Sequence, residues 1–247
     1  MLEADRRHVL NSFVTASQAA SQRLAFVNTA GNAIMKVDNT TVVPLNDKRN
    51  TVRISTKDRF AVGSVWIADM LHVPFGVNQA FAPVESLCSC ALCQCSVWPA
   101  FWSQAPNWPK GGEIDTFEGV NMAHNSQSSL HTEPGCTVVN AVQTSTLVNS
   151  ADCSFLANAN EGCSTQNPDP NSYGAAFAAA GGGVFVTEFA ETGISCVPFF
   201  ISGSAVHCRA FIARNSLLFL PGFGSSRYIR PVALPVTMVV DALPVAQ

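Results

Sequence analysis

The sequence predicts an all-β protein, a sandwich of antiparallel sheets, on three observations. Short apolar runs recur between clusters of Asn, Asp, Pro and Lys. The 247 residues include 16 Gly and 14 Pro, and only 13% are charged. Turn formers in that number suit many short strands better than helices, whose interiors exclude Pro and tolerate Gly poorly.

The elements follow in order. Residues 8–31 carry Ala-Ser repeats without an apolar stripe at helical spacing, and are expected to be irregular or weakly helical. From about Ala33 the pattern changes. Ile34-Met-Lys-Val37, Thr51-Val-Arg-Ile54 and Ala61-Val-Gly-Ser-Val-Trp-Ile67 are strand-like runs separated by turns. Val97–Trp102, Glu113–Glu118, Ser129–Thr132, Gly183–Phe189 and Ile194–Phe200 continue the series. Strands at this spacing bury one face of each sheet against the other. Two stretches depart from the pattern. Val77–Gln94 is a Cys-rich interruption, and after Ser195 acidic residues nearly vanish, with Asp241 the only one left.

Composition narrows the function classes. A formal charge of −3 and the lack of a basic stripe give no reason to expect a nucleic-acid partner. No uninterrupted apolar run is long enough to span a membrane. Nine Cys is an odd number and high for a cytosolic enzyme; Cys153 and Cys163 are close enough to close a short disulfide loop, with connectivity left open. Asn39-Thr40-Thr41 is a glycosylation acceptor pattern. Both features lean toward secretion, whereas Met1-Leu-Glu-Ala-Asp-Arg-Arg7 is charged and lacks the apolar core of a signal peptide.

The chemistry concentrates in Glu113-Ile114-Asp115-Thr116-Phe117-Glu118, three carboxylates in six positions bracketed by Gly111-Gly112 and Gly119. In a regular strand Glu113 and Asp115 share a face and Glu118 takes the other. A β-bulge near Thr116-Phe117 would bring Glu118 back beside them. Two carboxyls about 5–5.5 Å apart suit a retaining glycosidase, one attacking the anomeric carbon and one protonating the leaving oxygen. Crowded negative charge keeps one acid protonated near neutral pH, and Asp115 would share a proton or orient the nucleophile. The alternative is a solvated acidic edge strand. No calcium-loop spacing follows the acids, so neither a metal nor another cofactor is expected.

Trp98, Trp102 and Trp108 lie close by, and indoles serve sugar stacking and core packing alike. Proximity to the acids favours Trp102 and Trp108 for a cleft. His131 is either a structural histidine or a partner that tunes the acid/base.

Trp98-Pro-Ala-Phe-Trp102, Asn107-Trp108-Pro109 running on through Glu113–Glu118 to Asn121, and Leu130-His131-Thr132-Glu-Pro-Gly-Cys136 together resemble glycoside hydrolase family 16. The likeness is to fungal laminarinase-type endo-1,3(4)-β-glucanases and extends to about Ser195. It implies a concanavalin A-like jelly roll of two antiparallel sheets, here with fewer strands than the family pattern. It also implies that Glu113 is the nucleophile, Glu118 the acid/base and Asp115 their assistant. Trp98, Trp102, Trp108 and His131 would bind a β-glucan, and the protein would be a monomer acting outside the cell. Two alternatives stand beside hydrolysis: a relative that keeps the motif without activity, and a glucan transglycosylase.

The single family-like domain spans 1–247, with a core at about 12–195, an insert at 77–94 and an atypical tail at 196–247. Cys88-Ser-Cys90-Ala-Leu-Cys93-Gln-Cys95 lacks the separated pairs of a zinc knuckle. Deleting Val77–Gln94 joins Gly76 to Cys95 and restores an uninterrupted family pattern, which marks the segment as a translated intron. The dominant transcript across this junction is therefore expected to lack codons 77–94; reads that retain them would refute this.

Overall fold

The computed structural model describes residues 11–44, 47–75, 98–120, 123–139, 143–200 and 237–243. The predicted insert 77–94 lies outside them. The strands are β1 (Asn11–Phe13), β2 (Ala25–Val27), β3 (Ala33–Met35), β4 (Arg49–Thr51), β5 (Arg53–Ser55), β6 (Ser64–Met70), β7 (Trp98–Gln104), β8 (Glu113–Glu118), β9 (Gln127–His131), β10 (Thr146–Leu147), β11 (Cys163–Gln166), β12 (Gly183–Ala190), β13 (Gly193–Phe200) and β14 (Thr237–Leu243). The described residues also include two short α-helices, α1 (Ala16–Ser21) and α2 (Gly174–Ala179), and 3-10 turns at Asn158–Asn160 and Pro170–Ser172.

These strands form a mostly-β fold dominated by two antiparallel sheets, as expected. The larger has seven strands in the order β10-β11-β9-β8-β7-β14-β5, and the smaller has three in the order β13-β12-β6. A parallel pair β1-β4 and an antiparallel pair β2-β3 stand apart from them. β8 matches its expected limits, because glycines punctuate both ends of an alternating apolar run. Helix α1 falls inside the stretch read as weakly helical, and a capping box between Thr15 and Gln18 starts it.

Two parts of the tail join the sheets. Cys196–Phe200 completes β13, which pairs with β12 along its whole length. Thr237–Leu243 enters the large sheet between β7 and β5, bonded to both.

The core lies between the sheets. Trp66, Ile114, Leu130, Cys153, Cys163, Phe189 and Ile194 form one buried cluster. Ala68, Val73, Phe117, Tyr173, Phe177 and Phe185 form a second. Phe117 is 1% exposed and meets Phe185 edge-on, with ring centroids 4.8 Å apart.

The predicted bulge is present. Trp102 pairs with Asp115 but Phe101 pairs with Phe117, leaving Thr116 as the extra residue. The same shift appears on the other side, where Asp115 faces Ser129 and Glu118 faces Gln127. Thr116 and Phe117 therefore both turn into the core, and Glu118 returns to the face of Glu113 and Asp115. Buried Thr116 is satisfied across the sandwich: its hydroxyl lies 2.7 Å from that of Thr187 and accepts from Trp66 Nε1 at 3.3 Å. Gly119 closes the strand against Tyr173, where an added Cβ would lie 2.2 Å from the ring. Only glycine permits that approach.

Deleting the Phe117 ring leaves a cavity under the bulge. Phe117→Ala is expected to destabilise the fold by about 3–5 kcal/mol, read as a lower urea midpoint at unchanged slope.

Candidate active site

Register alone assembles the acidic face. Across β8, Glu113, Asp115 and Glu118 stand opposite Gln104, Trp102 and Ala100 of β7. On the other side they stand opposite His131, Ser129 and Gln127 of β9. β11 extends the face with Ser164 beside Ser129 and Gln166 beside Gln127. Every acid is thus flanked on both sides in the interior of a seven-stranded sheet, so the edge-strand alternative does not hold.

Glu113 is half-buried at the start of β8. Burial pushes its carboxyl well above the ordinary carboxylate value, and the neighbouring charge of Asp115 adds to the rise. Proximity to His131 and a hydrogen bond from Trp108 work in the opposite direction. Glu113 is also hydrogen-bonded to Asp115, so one proton serves the two. Asp115 is 2% exposed, and its Oδ2 lies 3.1 Å from His131 Nε2. His131 Nδ1 lies 3.3 Å from Asn160 Oδ1. The imidazole is thereby held between a carboxylate and an amide.

Asn160 belongs to a tight loop in which Asn158, Ala159 and Asn160 all have positive φ. The Cys153–Cys163 disulfide closes that loop, confirming the pair left open in the sequence. Gly162 allows it to approach: an added Cβ would lie 2.4 Å from the Leu130 carbonyl and 3.1 Å from the His131 ring. Donor atoms of Glu113, Asp115 and His131 lie within 4.8 Å of one another, a spacing that a divalent cation could also span.

Glu118 has different partners. Trp98 Nε1 donates to its Oε1 at 2.8 Å, and Ser129 Oγ lies 3.5 Å from its Oε2. The sequence left His131 open between a structural role and partnership with the acid/base. The register places His131 opposite Glu113 and bonded to Asp115, two positions along β9 from Ser129.

The indoles also divide differently from the expectation. Trp98 and Trp108 are each 37% exposed, whereas Trp102 is 9% exposed. The Arg53 guanidinium stacks over Trp102 at 5.2 Å and over Phe13 at 4.7 Å. Trp108 remains beside the acids and packs edge-on against Phe155. Sequence reasoning missed Arg53, Ser129, Asn160 and Ser164. Only Arg53 carried a signal, inside the strand-like run Thr51-Val-Arg-Ile54.

A family model described as "XgeA-like, catalytic GH16 domain" matches residues 2–81 and 88–206. The chain is 33% identical over 193 residues to a probable glycosidase of Schizosaccharomyces pombe, covering 77% of this chain and 41% of that protein. It is 31% identical over 196 residues to an endo-1,3(4)-β-glucanase of Arthroderma benhamiae, covering 77% of this chain and 38% of that one. The chain thus spans about two-fifths of the length of these relatives. Among solved structures it resembles an elongating GH family 16 β-1,3-glucosyltransferase, with a TM-score of 0.79 and 26% identity, covering 100% of this chain and 77% of that one.

The raised Glu113 carboxyl has a consequence for stability. Between its ordinary value of 4.5 and its raised value, the folded chain holds a proton that the unfolded chain has released. Stability therefore falls as pH rises through that window. Glu113→Gln removes the burden and is expected to raise the thermal midpoint at about pH 7, with the gain shrinking toward about pH 4. Thermal unfolding at the two pH values checks this, and an equal gain at both contradicts it.

Proposed function

Since the chain belongs to glycoside hydrolase family 16, we propose that it is a retaining endo-β-glucanase that cleaves 1,3(4)-β-glucans by double displacement. The observation that carries this reading is the bulge, which gathers Glu113, Asp115 and Glu118 on one face. Glu113 attacks the anomeric carbon while Glu118 gives its proton to the leaving oxygen. A covalent glycosyl-enzyme results. Glu118, now ionised, takes a proton from water, and the resulting hydroxide displaces Glu113. Asp115 carries the shared proton, and the Trp108 N–H and His131 help Glu113 hold its negative charge.

The exposed faces of Trp98 and Trp108 offer flat apolar surfaces for pyranose C–H groups. A wall glucan is met outside the cell, so this reading includes secretion, and the protein acts as a monomer. Likeness to a glucosyltransferase favours a second reading, in which a sugar hydroxyl replaces water in the second step.

Incubation with laminarin tests both. Hydrolysis releases reducing ends, whereas transglycosylation yields oligosaccharides longer than the substrate. Glu113→Gln and Glu118→Gln are each expected to lower turnover of laminarin by about 10²- to 10⁴-fold. Release of neither product type by a folded sample would identify a relative that keeps the motif without activity.

A further inference from the structure

We propose that Phe155 and Asn160 are positioning residues, two arms of one disulfide-closed loop that separately set the sugar-facing Trp108 and the His131 ring beside Glu113. The inference rests on the nucleophile role of Glu113 and goes beyond it, to the residues that hold its neighbours in place.

The loop is fastened astride His131. At its start, Thr132 N donates to the Cys153 carbonyl at 2.8 Å, and Phe155 N donates to the Thr132 carbonyl at 2.9 Å. At its end, Cys163 of β11 pairs with Leu130 of β9. The two ends thus grip β9 on either side of residue 131, and the Cys153–Cys163 bond joins them. Both cysteines belong to the buried core, so the closure is anchored there. Between the ends, positive φ at Asn158, Ala159 and Asn160 turns the chain back toward β9. Asparagine tolerates that left-handed conformation better than most residues.

Two side chains leave this loop toward the acids. Asn160 Oδ1 lies 3.3 Å from His131 Nδ1, while Nε2 of the same ring lies 3.1 Å from Asp115 Oδ2. Contacts at both nitrogens fix the orientation of the ring. Phe155 meets Trp108 edge-on, with ring centroids 5.6 Å apart. That indole hydrogen-bonds Glu113 and keeps an exposed face.

The arms reach different parts of the reaction. Trp108 offers its face to the sugar, so releasing it weakens binding in ground state and transition state alike. His131 is buried against the carboxyls, so releasing it slows the chemical step.

Steady-state kinetics on laminarin test this split. Phe155→Ala is expected to raise KM by about 2- to 10-fold with kcat little changed. Asn160→Ala is expected to lower kcat by about 2- to 10-fold with KM little changed. Phe155→Tyr keeps the ring and restores KM; Asn160→Asp keeps the oxygen and restores kcat. Where Phe155→Ala fails to fold, Phe155→Leu takes its place, since it keeps apolar bulk without the aromatic edge. Both constants moving together in each variant, neither moving, or no rescue by the conservative variants overturns the inference. The role of Glu113 is tested separately by adding azide to Glu113→Ala with a dinitrophenyl β-laminaribioside. An α-glycosyl azide upholds that role. Its absence from a folded sample sinks the underlying reading and this inference with it, an outcome distinct from any result of the loop variants.

Discussion

The site depends on one extra residue in one strand. Alternation along β8 would send Glu118 into the core and leave Glu113 and Asp115 without it. Inserting Thr116 gives two consecutive inward positions, and the sandwich accommodates them with complementary chemistry. Phe117 fills an aromatic cluster, while the Thr116 hydroxyl finds Thr187 and Trp66 on the opposing sheet. A buried hydroxyl without partners would oppose the bulge by about 1–3 kcal/mol. With them, the core side of the strand enforces the geometry of the acid side.

The second constraint is charge. Two carboxyls packed side by side in the interior of a sheet repel, and burial disfavours ionisation further. The surrounding loops are arranged to offset this. The disulfide-closed segment brings Asn160 to the His131 ring, Gly162 lets that segment come close, and the ring reaches Asp115. Stability and chemistry compete here, since the group whose burial weakens the fold is the proposed nucleophile.

Much of this was legible in the sequence, and the limits are instructive. The spacing of Glu113, Asp115 and Glu118 implied both a strand and a bulge, because two acids on one face and a third on the other is an incoherent site. β11, with the sequence Cys-Ser-Thr-Gln, carries no strand propensity to read; pairing with β9 makes it a strand. β14 lay in a stretch whose composition looked foreign, and its place between β7 and β5 comes from non-local pairing. His131 was placed on the right strand with its partner left open. His131 lies four residues along β9 from Gln127, which faces Glu118, and local sequence does not encode register. Trp102 is likewise covered by Arg53, which arrives from a distant part of the chain.

Register also explains why two glutamates of one strand can take opposite roles. Glu113 faces His131 and receives a hydrogen bond from Trp108, both of which favour its ionised form in a site where burial opposes it. Glu118, beyond the bulge, faces Gln127 and is gripped by Trp98 on one oxygen and approached by Ser129 on the other. At Glu113, His131 and Trp108 partly oppose a rise set by burial and by Asp115, whereas Glu118 is held by a different set of partners. Shifting β9 by one residue would exchange those partners for core-facing side chains and erase the distinction, although every residue of the motif remained. The chemistry is therefore a property of three paired strands, β7, β8 and β9, and of the sheet that keeps them in step.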